Sequence, residues 1–149
     1  SVRMSYTMMG DAVNTTARLE SGAKQYGIES QVGEKIYEAT KDQFVYRHLD
    51  HVRVKGKKNP VKTFELISEI GKEPDVYKEL LPLWDKAIKT YKKQEWDKAI
   101  KLFQQCDELE EEYIGRPTNP SLFFIARCNE FKENPPGKDW DGIYTLKSK

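Results

Sequence analysis

Histidine and cysteine are scarce in this chain, two of each, and none of them falls in a zinc-binding spacing. Without a Cys-x-x-Cys pair or a Cys/His cluster there is no zinc centre to expect, and two cysteines make no disulfide framework. Cys106 and Cys128 sit within apolar helical patterns and read as reduced, buried thiols, which places the protein in the cytoplasm by expectation. His48 and His51 read as surface residues of a strand pair. A surplus of either charge is also missing: 25 Lys and Arg balance 24 Asp and Glu. No global field therefore recruits nucleic acid or an acidic membrane surface. No apolar run approaches the roughly 20 residues of a membrane-spanning helix, and the first residues lack the pattern of a secretory signal. With 38% apolar and 33% charged residues and a mean hydropathy of −0.78, the core has to be economical.

What the chain does have begins at Tyr6-Thr7-Met8-Met9-Gly10-Asp11-Ala12-Val13-Asn14-Thr15-Thr16-Ala17-Arg18-Leu19-Glu20. A short apolar run ends at Gly10-Asp11 and a helical pattern follows. Wound at about 100° per residue, Asp11 to Gln25 places Ala12, Thr16, Leu19 and Ala23 on one stripe. Asn14 and Arg18 fall on the opposite side as an i, i+4 pair. The stripe can dock on a core while an amide and a guanidinium point together outwards. Asp11 can cap the first turn, whose free N–H groups also favour anions. On spacing alone, Asn14 and Arg18 also suit a solvated helix face.

The Gly-Asp-x-Val-Asn-x-x-x-Arg frame resembles the class III nucleotide cyclases, the adenylate and guanylate cyclase catalytic domains. The resemblance implies that Asn14 orients the ribose of the nucleotide and that Arg18 binds the α-phosphate as charge builds in the transition state. The residue types suit those tasks: a planar, permanent cation fits phosphoryl oxygens, and an amide both donates and accepts. Thr7, three residues before Gly10, corresponds to a position that reads the purine, and a Thr there goes with adenine. Its hydroxyl can serve either base, so a guanylate cyclase stays open as the alternative.

The same resemblance implies an ATP substrate, a 3′,5′-cyclic AMP product, two Mg2+ or Mn2+ ions, and a site shared between two catalytic domains, with a homodimer as the expected arrangement. The metal-binding aspartates of such a domain precede this motif, and no pair in that context occurs here. The chain is therefore expected to be the C-terminal portion of a cyclase domain, inactive by itself, with no metal ligand of its own.

Further along, Tyr26-Gly27 reads as a helix stop with Gly27 as a left-handed cap. Ile28–Val32 reads as a short strand, Glu34–Thr40 as a short helix, and Phe44–Leu49 as a strand. His51–Lys55 alternates with period two, Gly56–Pro60 turns, and Val61–Ile67 pairs back. Val54-Lys55-Gly56-Lys57 resembles a Val-Lys-Gly-Lys segment of the same family, which implies that Lys55 reaches the terminal phosphates. Lysines round a tight turn are equally compatible with plain solvation.

Around Gly71-Lys72-Glu73-Pro74 the pattern changes to a helical one, so residues 71–77 read as a linker. Leu80, Trp84, Ala87, Ile88 and Tyr91 form one apolar face; Trp96, Ala99, Ile100, Phe103 and Cys106 form a second. The turn between them resembles the inner turn of a tetratricopeptide repeat. Leu122, Phe123, Ile125, Ala126, Cys128 and Phe131 give a third helix. Asp107–Glu112 reads as a solvated helix face, and the Asp139-Trp140-Asp141-Gly142 tail as a structural turn leading into a strand-like end, since it lacks the ligand count of a calcium loop.

The expected fold class is thus α+β: the C-terminal part of a ferredoxin-like cyclase domain over residues 1–70, then a tetratricopeptide-like helical extension over 78–149. A protein partner for that extension is one expectation, and a non-catalytic interaction module built on a cyclase remnant is the second alternative.

Overall fold

The computed structural model describes residues 22–54 and 59–146. Thr7, Asn14, Arg18 and Lys55 lie outside them. Residues 22–26 are helical, and the one described member of the expected apolar stripe, Ala23, is buried. Gly27 ends that segment at φ +79°, with its N–H donated to Ala23 O, as a left-handed cap requires. The chain continues as strand β1 (Gln31–Gly33), helix α1 (Glu34–Thr40), strands β2 (Phe44–Arg53) and β3 (Val61–Glu69), and helices α2 (Val76–Lys92), α3 (Trp96–Asp107) and α4 (Pro120–Glu133). It closes with strand β4 (Tyr144–Thr145). The described residues are α+β, as expected, with a four-stranded mixed sheet of order β1-β3-β2-β4.

β2 pairs antiparallel with β3, and β4 adds parallel to the end of β2 through Val52 and Arg53. Two runs, Phe44–Leu49 and His51–Lys55, were expected where β2 is one strand, Phe44–Arg53. The register explains the misreading: His48 faces Phe64 and Asp50 faces Thr63, so Leu49 is an extra residue in a β-bulge. Side chains of directly paired residues share a face. Arg47, paired with Glu65, and Asp50, paired with Thr63, therefore both point to the helical layer. In a regular strand without the bulge, Asp50 would alternate to the face opposite Arg47. The first strand also lies later than expected, at Gln31–Gly33.

The helices form because apolar residues recur at helical spacing. Tyr77, Leu80, Trp84, Ala87 and Tyr91 are the buried residues of α2, and Ala99, Phe103 and Cys106 those of α3. The two are joined by residues 93–95, with Gln94 at φ +64°. α4 starts on Asn119, whose side chain accepts from Leu122 N, with Pro120 in the first turn. Its buried face is Phe124, Arg127, Cys128 and Phe131 rather than one containing Leu122, which is 41% exposed. Helical periodicity marked the helix, but a buried arginine shifted the face.

One continuous core joins Ala23, Tyr26, Ile28 and Leu49 to the buried residues of α2, α3 and α4. A smaller cluster on the opposite face of the sheet holds Val32, Ile36 and Phe64, with Tyr37 stacked on Phe64 at 3.9 Å. Sheet and helices share apolar cover, and Trp84 Nε1 fastens the layers by donating to His48 O at the bulge, 2.7 Å.

Candidate functional site

The described residues build the frame on which the expected site would stand. Tyr26, at the end of the helical segment 22–26, donates its hydroxyl to Asp50 Oδ2. Asp50 Oδ1 accepts from Arg127 Nη1 on α4 at 2.8 Å and from the His51 N–H at 2.8 Å. The side chains of Arg127 and Asp50 are each 4% exposed. The guanidinium also lies 3.9 Å from the centre of the Tyr144 ring and 4.9 Å from that of Phe124. Burial works against the charge on Arg127, but the Asp50 carboxylate outweighs it and raises its pKa. Burial, then the negative charge of Asp50, likewise pushes the Tyr26 phenol far above its ordinary value. The phenol stays protonated and able to donate.

A second buried cluster anchors the loop before α4. Arg47 Nε donates to Glu65 Oε1, while Nη1 and Nη2 grip the two oxygens of Glu110 at 2.9 and 2.7 Å. Ser121 adds N–H and hydroxyl donors to Glu110 Oε2. Glu110 was expected on a solvated helix face. Instead α3 ends at Asp107 and the Glu110 side chain is 3% exposed. Sequence charge patterning missed it because the partner arginine lies far off in β2. Burial raises the Glu65 pKa, opposed by Arg47.

The remaining readings of reactive groups can be checked individually. Cys106 and Cys128 are free and buried, and burial pushes both thiols up to about 12, so neither is a nucleophile at neutral pH. His48 is an exposed strand residue, as expected, and partial desolvation lowers its pKa and that of His51. The Asp139–Gly142 tail is a turn: Asp141 accepts from Ile143 N, and Trp140 donates to Ile143 O. Among the described residues no group of three or more His, Cys, Asp or Glu could hold a metal ion. A cavity of about 120 Å³ lies between β2, β3 and α2, lined in part by His48, His51, Lys62, Thr63 and Tyr91. It is well below the few hundred Å³ that a nucleotide needs, so it is not the substrate site.

The approach to Lys55 is framed as well. Arg53 Nη2 pairs with Asp141 Oδ2 at 3.0 Å, and Leu146 N donates to Arg53 O at 2.8 Å. The tail thus braces the arm of the β2–β3 hairpin that leads into the lysine segment.

Comparison with known proteins bears on the undescribed stretch. Residues 1–68 match the adenylate and guanylate cyclase catalytic domain family. Catalytic domains of this family are generally metal-dependent, bind ATP and usually dimerise. A terminal-differentiation-specific adenylate cyclase of Dictyostelium discoideum is 33% identical over 130 residues, 85% of this chain and 6% of that protein. An adenylate cyclase of Mycobacterium tuberculosis is 43% identical over 67 residues, covering 45% of this chain and 14% of that protein. Adenylate cyclase 1 of Rhizobium meliloti is 31% identical over 68 residues, 46% of this chain and 10% of that protein. The chain thus spans a small fraction of the length of each relative. The first of these similarities covers too much of the chain to stop at residue 68, and it runs on into the helical layer. No solved structure matches.

Proposed function

We propose that this chain is part of an adenylate cyclase that converts ATP to 3′,5′-cyclic AMP and pyrophosphate. The observation that carries the reading is the coincidence of the cyclase family match over residues 1–68 with the Asn14/Arg18 pair inside it. The matched relatives are themselves named adenylate cyclases, which favours ATP over GTP.

In this reading residues 1–70 are the C-terminal portion of a ferredoxin-like catalytic domain, working at a boundary with a second such domain in a cytoplasmic homodimer. Asn14 orients the ribose so that its 3′ oxygen lines up with the α-phosphorus. Arg18 stabilises the charge that builds on the α-phosphate as the new bond to the 3′ oxygen forms and the bond to pyrophosphate breaks. Lys55 holds the terminal phosphates, and Thr7 contacts the adenine. The rate gain from these residues is positioning plus charge stabilisation. The two Mg2+ or Mn2+ ions of the reaction would lower the barrier by charge neutralisation. The described residues offer them no ligand set, and their aspartates belong to another part of the parent enzyme. The packing of α2 with α3 across the short connection 93–95, and of α3 with α4, supports a tetratricopeptide-like reading of these helices. A protein partner for them goes with that reading.

The test is Arg18→Ala in the full-length enzyme, with ATP turnover and ATP binding measured separately. Turnover should fall on the order of a hundredfold or more while binding changes far less. Equal weakening of binding with turnover intact would refute the role. Competition between ATP and GTP in the same protein checks the base preference.

A further inference from the structure

The helical layer does more than cover the sheet: several of its contacts meet on one short segment, residues 22–28, which follows the Asn14/Arg18 motif in sequence. Three independent holds meet there. Tyr26 donates to Asp50, which is in turn paired with Arg127 of α4. Arg116, in the loop before α4, donates from Nε to Ile28 O at 2.8 Å. Gly27 is closed over by the same loop, since a Cβ there would sit 2.0 Å from Thr118 O. The Tyr26 ring also packs against Phe123 of α4 at 4.4 Å, and Ala23, Tyr26 and Ile28 are all buried in the shared core.

Such density has a cost that a mere cover would avoid. A buried carboxylate, guanidinium and phenol need one another to remain satisfied, so the arrangement tolerates only one placement of the segment. The β-bulge at Leu49 turns Asp50 to the helical face, where it accepts from Tyr26.

We propose that Tyr26, Asp50 and Arg127 are positioning residues for the cyclase reaction: through them α4 fixes residues 22–28, the segment that follows the Asn14/Arg18 motif in sequence. This rests on the adenylate cyclase reading and assigns the C-terminal helices a part in the catalytic geometry. A displacement of about 1 Å at a reacting group can cost as much as a hundredfold in rate, so the hold is worth keeping.

Two measurements test it. In the full-length enzyme, kcat/KM is compared for ATP and 2′-deoxy-ATP in the wild type, Tyr26→Phe, Arg127→Met and Arg127→Lys. The ratio of the two values does not depend on how much of the protein is active, so partial unfolding leaves it unchanged. A shifted ribose-orienting group should move it about fivefold in Arg127→Met, less in Tyr26→Phe, and Arg127→Lys should recover part of the loss. A ratio equal to wild type in all variants would overturn the proposal. In the chain itself, hydrogen exchange of the Gly27 and Ile28 amides, both bonded to Ala23 O, should quicken about tenfold in Arg127→Met relative to amides of the β2–β3 pair. Equal exchange would overturn it too. A wild-type enzyme that makes no cyclic AMP would instead sink the function reading, and the exchange result would still stand or fall independently.

Discussion

Arg127 Nη1 and Asp50 Oδ1 meet at 2.8 Å although 77 residues separate them in sequence. The contact joins the last long helix to the middle of the sheet with both side chains out of water. Such a pair adds little net stability over an apolar pair of equal shape, but breaking one half leaves a bare buried charge. The same logic governs Arg47 with Glu65 and Glu110, and it sets the first expectation.

Arg47→Met should destabilise the chain by about 3–5 kcal/mol, because it strands two buried carboxylates at once. Glu110→Gln should cost less, since an amide can still accept from Arg47 and Ser121. Urea denaturation of both variants measures this; a near-neutral Arg47→Met would show that the carboxylates are relieved some other way.

Gly27→Ala should destabilise by more than about 1 kcal/mol, from the left-handed backbone alone. The contact with Thr118 O adds to that, since the carbonyl belongs to backbone and cannot swing aside. Gly71→Ala serves as the comparison: its φ is +89° but nothing lies within reach of a new Cβ. Thermal unfolding of the two should separate backbone strain from the clash.

Stability should fall as pH drops through the histidine range. Burial lowers the pKa of His48 and of His51 below the unbound value of 6.5, with Lys62 and Lys92 acting in the same sense. Between the lowered folded values and 6.5 the unfolded chain binds more protons, so stability is full above 6.5 and is lost as pH falls through the folded pKa values. Asp85 near His48, and Asp50 and Glu34 near His51, pull the other way. Denaturation midpoints at pH 7.5 and 5.5 measure the slope; His48→Gln should flatten it.

The chain alone, supplied with ATP and magnesium or manganese, should make no cyclic AMP. Clear turnover would mean that residues within it bind the metal, against the placement of those ligands elsewhere in the parent enzyme.

Much of the fold was readable from residue pattern, and the exceptions share a cause. The stripe at Leu80, Trp84, Ala87 and Tyr91 announced α2, and Gly27 announced the helix stop, because spacing and left-handed backbone are local properties. The buried charges were not local. Glu110 stands in a run of acidic residues that looks like a solvated face, and only a guanidinium from a strand 63 positions away makes it a core residue. Asp50 looked like a break between two strands because a bulge reverses the phase of alternation. For the candidate site the order is reversed: Thr7, Asn14, Arg18 and Lys55 were named from motif alone and lie outside the described residues, so their support is the family match.

The parallel pairing of β4 with the end of β2 sets an order of events during synthesis. β4 leaves the ribosome well after β2 and β3, which can already pair by then. Until residues 144–146 emerge, the edge of β2 at Val52 and Arg53 that faces β4 stays unpaired, open to any passing extended segment. A nascent chain stalled just short of that point would carry an unguarded edge, and crowded translation is where that vulnerability would first be felt.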